Sequence, residues 1–266
     1  MAPWMARCQP TFTVFSVANH ALPPEHEFIR SAAIHGHTVH FAFVNKSTRS
    51  PLAAKPGLLL QYLRLQCPRS VVLMVDAFDS LFLGPASTML QHFQESGHEM
   101  IFAAEKLYSD QRPGDRHFFD ELAAKEATRY LNSGGVIGYA ESLNAVAQAA
   151  VQADAQRQME CGQPVARRCT DQWVYGYVLA RGWAHWHASL DYRSRFFFTA
   201  SGEDWSLANA KSRVAATHPY IVHMPFRSAP LVNATWRARP RGSHPLRPSC
   251  AQTQPCLSLC LSYGYA

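Results

Sequence analysis

Two carboxylates three residues apart close an unbroken apolar run, Val71-Val-Leu-Met-Val followed by Asp76-Ala-Phe-Asp79. Five consecutive apolar residues fit a parallel strand covered on both faces. In open α/β sheets, ligands bind beyond the carboxyl ends of the strands. Carboxylates there suit Mg²⁺ or Mn²⁺, which take oxygen ligands and keep open positions for phosphate oxygens. Either Asp76 or Asp79 is equally suited to cap a following turn.

Four further signals lie downstream. Leu131-Asn132-Ser133-Gly134-Gly135 offers an amide able to bond a sugar hydroxyl, then two glycines that admit close approach or positive φ. The same residues read equally as a turn between strands. Thr170-Asp171-Gln172 fits a helix start, where a carboxylate is favoured by the dipole. Ser189-Leu-Asp191 places an acid at a strand end, and Tyr220-Ile-Val-His223 places an imidazole after a short strand. Neutral imidazole is a good metal ligand, but one His among thirteen carries little weight alone.

The elements around these residues alternate. Strands are predicted at residues 11–18, 38–44, 71–75, 100–104, 186–190 and 220–223, with a strand–turn–strand over 129–140. Helices are predicted at 25–34, 57–66, 87–94, 143–155 and 170–179. Residues 46–56 read as a polar loop. Strands alternating with helices predict an α/β sandwich around a largely parallel sheet. From residue 228 the periodicity stops in a stretch rich in Pro, Arg and Ser, read as a loosely attached tail.

The chain has 266 residues, 47% hydrophobic and 17% charged, enough apolar material for a packed core. Its net charge of +6 is uneven. No Asp or Glu follows Asp204, while seven cations do. The first 204 residues carry eighteen basic and nineteen acidic groups. The excess thus sits in the Pro-rich end and reads as a solvated tail rather than a nucleic-acid surface. The seven cysteines include no C-x-x-C pair, which argues against structural zinc. Cys161 and Cys169 are close enough in sequence to close a disulfide in an oxidising compartment. No apolar run approaches the ~20 residues that span a bilayer. No secretory signal is visible, so a cytosolic location is expected if the N-terminus is complete.

Taken in order, strand–Asp-x-x-Asp, Ala-Glu, Leu-Asn-Ser-Gly-Gly, Asp-Gln, Leu-Asp and Pro-x-x-x-His resemble one family. It is the glycosyltransferase domain of the procollagen lysyl hydroxylase/glucosyltransferases and the procollagen galactosyl- and glucosyltransferase group. The resemblance covers roughly residues 12–227. It implies a GT-A fold, a Rossmann-like α/β/α sandwich with a mostly parallel sheet. It also implies a UDP-sugar donor used with Mn²⁺ or Mg²⁺, a hexose (glucose or galactose) transferred to an acceptor hydroxyl of a protein or glycan, and the secretory pathway. On this resemblance Asp76, Asp79 and His223 hold the metal. Asn132, Asp171 and Asp191 stand near the reacting sugar. The donor lies against Asp76, Asp79, Ser133, Gly134, Gly135, Gln172 and Arg227. The chain departs from the pattern twice. Arg167, Arg168 and Thr170 replace acids before Asp171, and Met224-Pro-Phe-Arg227 replaces Gly-Asn-Gly after the histidine. These changes keep a second reading open, a nucleotide-sugar-binding module with little or no turnover. A metal-dependent phosphoesterase using the same acids and His is a third.

Overall fold

A computed structural model describes residues 8–44, 51–109, 111–161, 170–201 and 207–225. Its strands are β1 (Phe12–Ala18), β2 (Val39–Phe43), β3 (Val71–Val75), β4 (Ser80–Phe82), β5 (Met100–Glu105), β6 (Tyr130–Tyr139), β7 (Ala188–Leu190), β8 (Phe197–Thr199) and β9 (Ile221–His223). Its α-helices are α1 (Glu27–Ile34), α2 (Pro51–Leu63), α3 (Ala86–Glu95), α4 (Arg116–Leu122), α5 (Ala140–Gln152), α6 (Asp154–Cys161), α7 (Asp171–Trp186) and α8 (Leu207–Thr217).

The main sheet has six strands in the order β2-β1-β3-β6-β5-β7. All run one way except β6, which pairs antiparallel with both neighbours. The mostly parallel α/β sheet expected from the sequence is therefore present. Helices cover both faces. Leu59 and Leu63 of α2, Leu143 and Val146 of α5, and Trp173 and Leu179 of α7 pack with Val72, Met74 and Phe102 on one side. Phe28 of α1 and Met89 and Phe93 of α3 pack with Val71, Leu73 and Val75 on the other. The alternation of β3 residues between two cores explains why its sequence is apolar throughout.

A second sheet, β4-β9-β8, stands beside the first. Alternate residues give it two faces. Leu81, Val222 and Phe198 join a small separate core, whereas Phe82, Ile221 and Phe197 join the core behind the main sheet.

Several expectations are corrected. Residues 51–56 are the start of α2, not loop. Pro56 lies inside this helix and removes one backbone bond, but buried Leu59 and Leu63 and the ion pairs of Lys55 hold the segment in place. Residues 129–140 form one ten-residue strand rather than two. Phe102 pairs with Val136 and Ala103 with Asn132, so Ser133, Gly134 and Gly135 stand as a bulge opposite β5. Helix α7 runs on to Trp186, with non-helical backbone at Gly182. Strands β4 and β8 and helices α4, α6 and α8 are additional. A disulfide joins Cys8 to Cys67. Cys169, Arg167, Arg168, Arg227 and the expected tail lie outside the described residues. Among the described residues no helix is long and apolar enough to cross a membrane.

Candidate metal and donor site

The carboxyl end of β3 delivers Asp76, whose N–H donates to the Gly134 carbonyl at 3.1 Å. The chain then turns into β4. Ser80 pairs across strands with His223, and the Met224 N–H donates to the Asp79 carbonyl at 2.9 Å. These backbone bonds bring together two acids and one imidazole from segments about 145 residues apart. Ligand atoms of Asp76, Asp79 and His223 all lie within 4.8 Å of one another. His223 Nε2 is 3.4 Å from Asp79 Oδ1 and 3.7 Å from Asp76 Oδ2.

The protonation of His223 follows from its neighbours. The Gly134 N–H donates to Asn132 Oδ1 at 2.9 Å, which fixes the amide oxygen on that side. His223 Nδ1 lies 3.1 Å from the same oxygen and must carry the hydrogen. In the neutral ring, the Nε2 lone pair then faces the carboxylates. Asp79 Oδ1 and His223 Nε2 are both buried and neither has a hydrogen-bond partner. With the ring neutral, these are two opposed electron-pair donors 3.4 Å apart with no hydrogen between them, a spacing that fits a cation in that place. The two carboxylates suit a hard divalent cation and the imidazole adds a nitrogen ligand, and Asn132 orients the imidazole from behind. Burial works against a charged His223, but Asp79 and Asp76 outweigh it and raise the imidazole pKa. Burial likewise works to raise the Asp79 carboxyl, but His223 first and Lys55 after it outweigh this, so its pKa falls. A cation would displace the proton that the acids otherwise draw to Nε2.

Gly134 is required by this packing. A Cβ there would lie 2.5 Å from His223 Nδ1, and one on Gly135 would lie 2.6 Å from a Phe197 ring carbon. The close approach anticipated at both glycines is thus made by rings of the small sheet. Neither glycine is among those with positive φ.

Behind the acids lies Lys55, which the sequence reading missed. Its Nζ donates to Asp76 Oδ1 at 2.5 Å and lies 3.4 Å from Asp171 Oδ2. Lys55 and Asp171 are both buried, and Asp171 is the first residue of α7, capped by the Thr170 hydroxyl. Burial raises the Asp171 carboxyl, with Lys55 as the main opposing influence. Burial alone would lower the Lys55 pKa, yet Asp171 and Asp76 raise it and keep the ammonium charged. One signal could have revealed Lys55. It lies four and eight residues before Leu59 and Leu63, on the apolar face of a helix, if that helix is read through Pro56.

A second polar network adjoins the bulge. The Ser133 N–H donates to Gln172 Oε1 at 3.0 Å, and Gln172 Nε2 donates to Glu105 Oε1 at 2.8 Å. The Ser109 hydroxyl also donates to Glu105. Burial pushes the Glu105 pKa up to about 7 despite these bonds. Glu105 too was passed over as a site residue, although it ends a strand beside the bulge. Asp191 is committed to the backbone. Its Oδ1 accepts from the Arg195 N–H and its Oδ2 from those of Phe196 and Phe197, at the turn into β8.

Residues 9–232 match the family described as PLOD GT domain. The chain is 38% identical over 79 residues to human procollagen-lysine,2-oxoglutarate 5-dioxygenase 2, which is 29% of this chain and 10% of that protein. It is 29% identical over 141 residues to the Drosophila melanogaster procollagen-lysine,2-oxoglutarate 5-dioxygenase, 50% of this chain and 19% of that one. These matches span a tenth to a fifth of the curated relatives. Among solved structures, a glycosyltransferase involved in the glycosylation of the major capsid of PBCV-1 shares the fold. Its TM-score is 0.50 at 14% identity, over 82% of this chain and 95% of that one.

Proposed function

The chain belongs to the family of PLOD glycosyltransferase domains, and from that premise we propose that it moves a hexose from a UDP-sugar to an acceptor hydroxyl with a divalent metal, Mn²⁺ or Mg²⁺. The observation that carries the metal reading is the buried, unpartnered pair Asp79 Oδ1 and His223 Nε2 beside Asp76. The relatives' names refer to procollagen lysine, so a hydroxylysine-type side chain is the proposed acceptor, with glucose or galactose as the sugar.

Asp76, Asp79 and His223 would hold the cation, which supplies Lewis-acid neutralisation of charge on the leaving diphosphate. The residues of this chain do the rest. Asn132 holds the His223 ring in the tautomer that leaves Nε2 free. Lys55 keeps Asp76 and Asp171 together despite their like charges. Asp171, Asn132, Ser133 and Gln172 line up at the bulge and the start of α7, where orienting the donor sugar against an acceptor lowers the entropic part of the barrier.

A nucleotide-sugar-binding module with little turnover is the second reading. It is favoured by Thr170, which stands where the family has an acid and whose hydroxyl caps α7. Titration of UDP with and without Mn²⁺, followed by a UDP-hexose turnover assay, separates the two. Metal-dependent UDP binding and release of UDP, both abolished by Asp79→Ala, is the expected result for the transferase. Binding without release selects the module. Absence of metal-dependent binding sinks both.

A further inference from the structure

Ser80, His223 and Thr199 are direct cross-strand partners in the small sheet, Ser80 on β4 and Thr199 on β8. Cross-strand partners project from the same face. Their neighbours Leu81, Val222, Phe198 and Ala200 occupy the opposite face, in the small core. The two hydroxyls therefore flank the His223 imidazole on the side where it meets Asp79 and Gly134. Ser80 is 2% and Thr199 1% exposed, and neither hydroxyl oxygen has a hydrogen-bond partner. A buried hydroxyl without a partner has lost its hydrogen bonds to water and gained none in return. Two of them on either side of a third unpartnered atom, His223 Nε2, point to a common missing partner.

We propose that the Ser80 and Thr199 hydroxyls are positioning residues of the metal site. They hydrogen-bond the oxygen ligands, water or diphosphate, that complete the coordination sphere left open by Asp76, Asp79 and His223. The inference rests on the metal reading above and extends it to two residues that are neither acids nor imidazoles. Three protein ligands leave a six-coordinate cation with open positions. Oxygen ligands there need hydrogen-bond partners of their own, and hydroxyls both donate and accept.

The test uses the full chain, with Ser80→Ala, Thr199→Val and the double variant, and Thr199→Ser as the rescue. Mn²⁺ binding is read from the paramagnetic resonance signal of free Mn²⁺, without and with UDP, and metal-free stability from urea unfolding. The expected result is about tenfold weaker Mn²⁺ binding in the variants, recovery in Thr199→Ser, and metal-free stability equal to or above that of the parent. Weakening with Mn²⁺ alone identifies water as the partner, and weakening only with UDP identifies the diphosphate. Parent-like Mn²⁺ binding in the double variant, in both arms, overturns the inference. So does a metal-free stability loss matching the affinity loss, since the hydroxyls would then serve the sheet. A parent chain that fails to bind Mn²⁺ at all overturns the metal reading itself, a distinct outcome.

Discussion

Replacing Lys55 by Met removes the only positive charge that the described contacts place between Asp76 and Asp171. Methionine keeps much of the aliphatic stem, so packing against α2's neighbours changes little and the charge is the principal loss. Removing one partner of a buried ion pair costs about 3–5 kcal/mol. Asp76 retains some solvent access, 26% of its side chain, which sets the expectation near the lower figure, about 3 kcal/mol. The sign of the pH dependence follows from Asp171. Its pKa in the folded chain is already raised by burial, and loss of Lys55 raises it further. An acid whose folded pKa exceeds its unfolded value binds more protons when folded, so stability falls as pH rises through that interval. Urea unfolding with a chelator at pH 5 and pH 8 should show the larger deficit at pH 8. The double variant Lys55→Met/Asp171→Asn should regain part of it, because the uncompensated charge is gone. A deficit below about 1 kcal/mol, or one that does not change with pH, would refute the electrostatic account of Lys55.

Three further outcomes are expected. Gly134→Ala should displace the His223 ring, with a stability loss of about 1–3 kcal/mol and at least tenfold weaker Mn²⁺ binding by titration. Glu105→Gln should flatten part of the stability–pH profile. The folded pKa of about 7 against an ordinary 4.5 means the parent loses about 3 kcal/mol as pH rises from 4.5 to 7, and urea midpoints across that range measure it. Asp191→Asn should weaken the turn into β8 by about 1–3 kcal/mol through its backbone bonds, while Mn²⁺ titration stays parent-like.

The parts of the site visible in the sequence were those marked by a local contrast. An apolar run ending in Asp76 and Asp79 stands out because a strand buried on both faces tolerates no polar residue until it leaves the sheet. His223 is one of thirteen histidines, and only its order after the other motifs singled it out. What stayed hidden depends on long-range pairing. Strands β4 and β8 have three residues each, too few for a period of two to register. Lys55 was obscured by Pro56, a residue whose local meaning is to end helices and which here is overruled by tertiary contacts. The glycines were legible as sites of close approach, but the rings approaching Gly134 and Gly135 come from residues 223 and 197, invisible to any local window.

The small sheet has a consequence for how the chain matures. Its middle strand, β9, comes last in sequence, between β4 and β8, which do not pair with each other. Until β9 docks, β4 and β8 have no shared partner, and Asp76 and Asp79 have no imidazole opposite them. The main sheet can assemble earlier from the first 190 residues. Strand pairings this distant in sequence form slowly, and domains synthesised from the N-terminus expose such unpaired edges meanwhile. The proposed cation could therefore be held by all three side chains only once β9 has docked, and it would favour that state over one in which β9 is still loose.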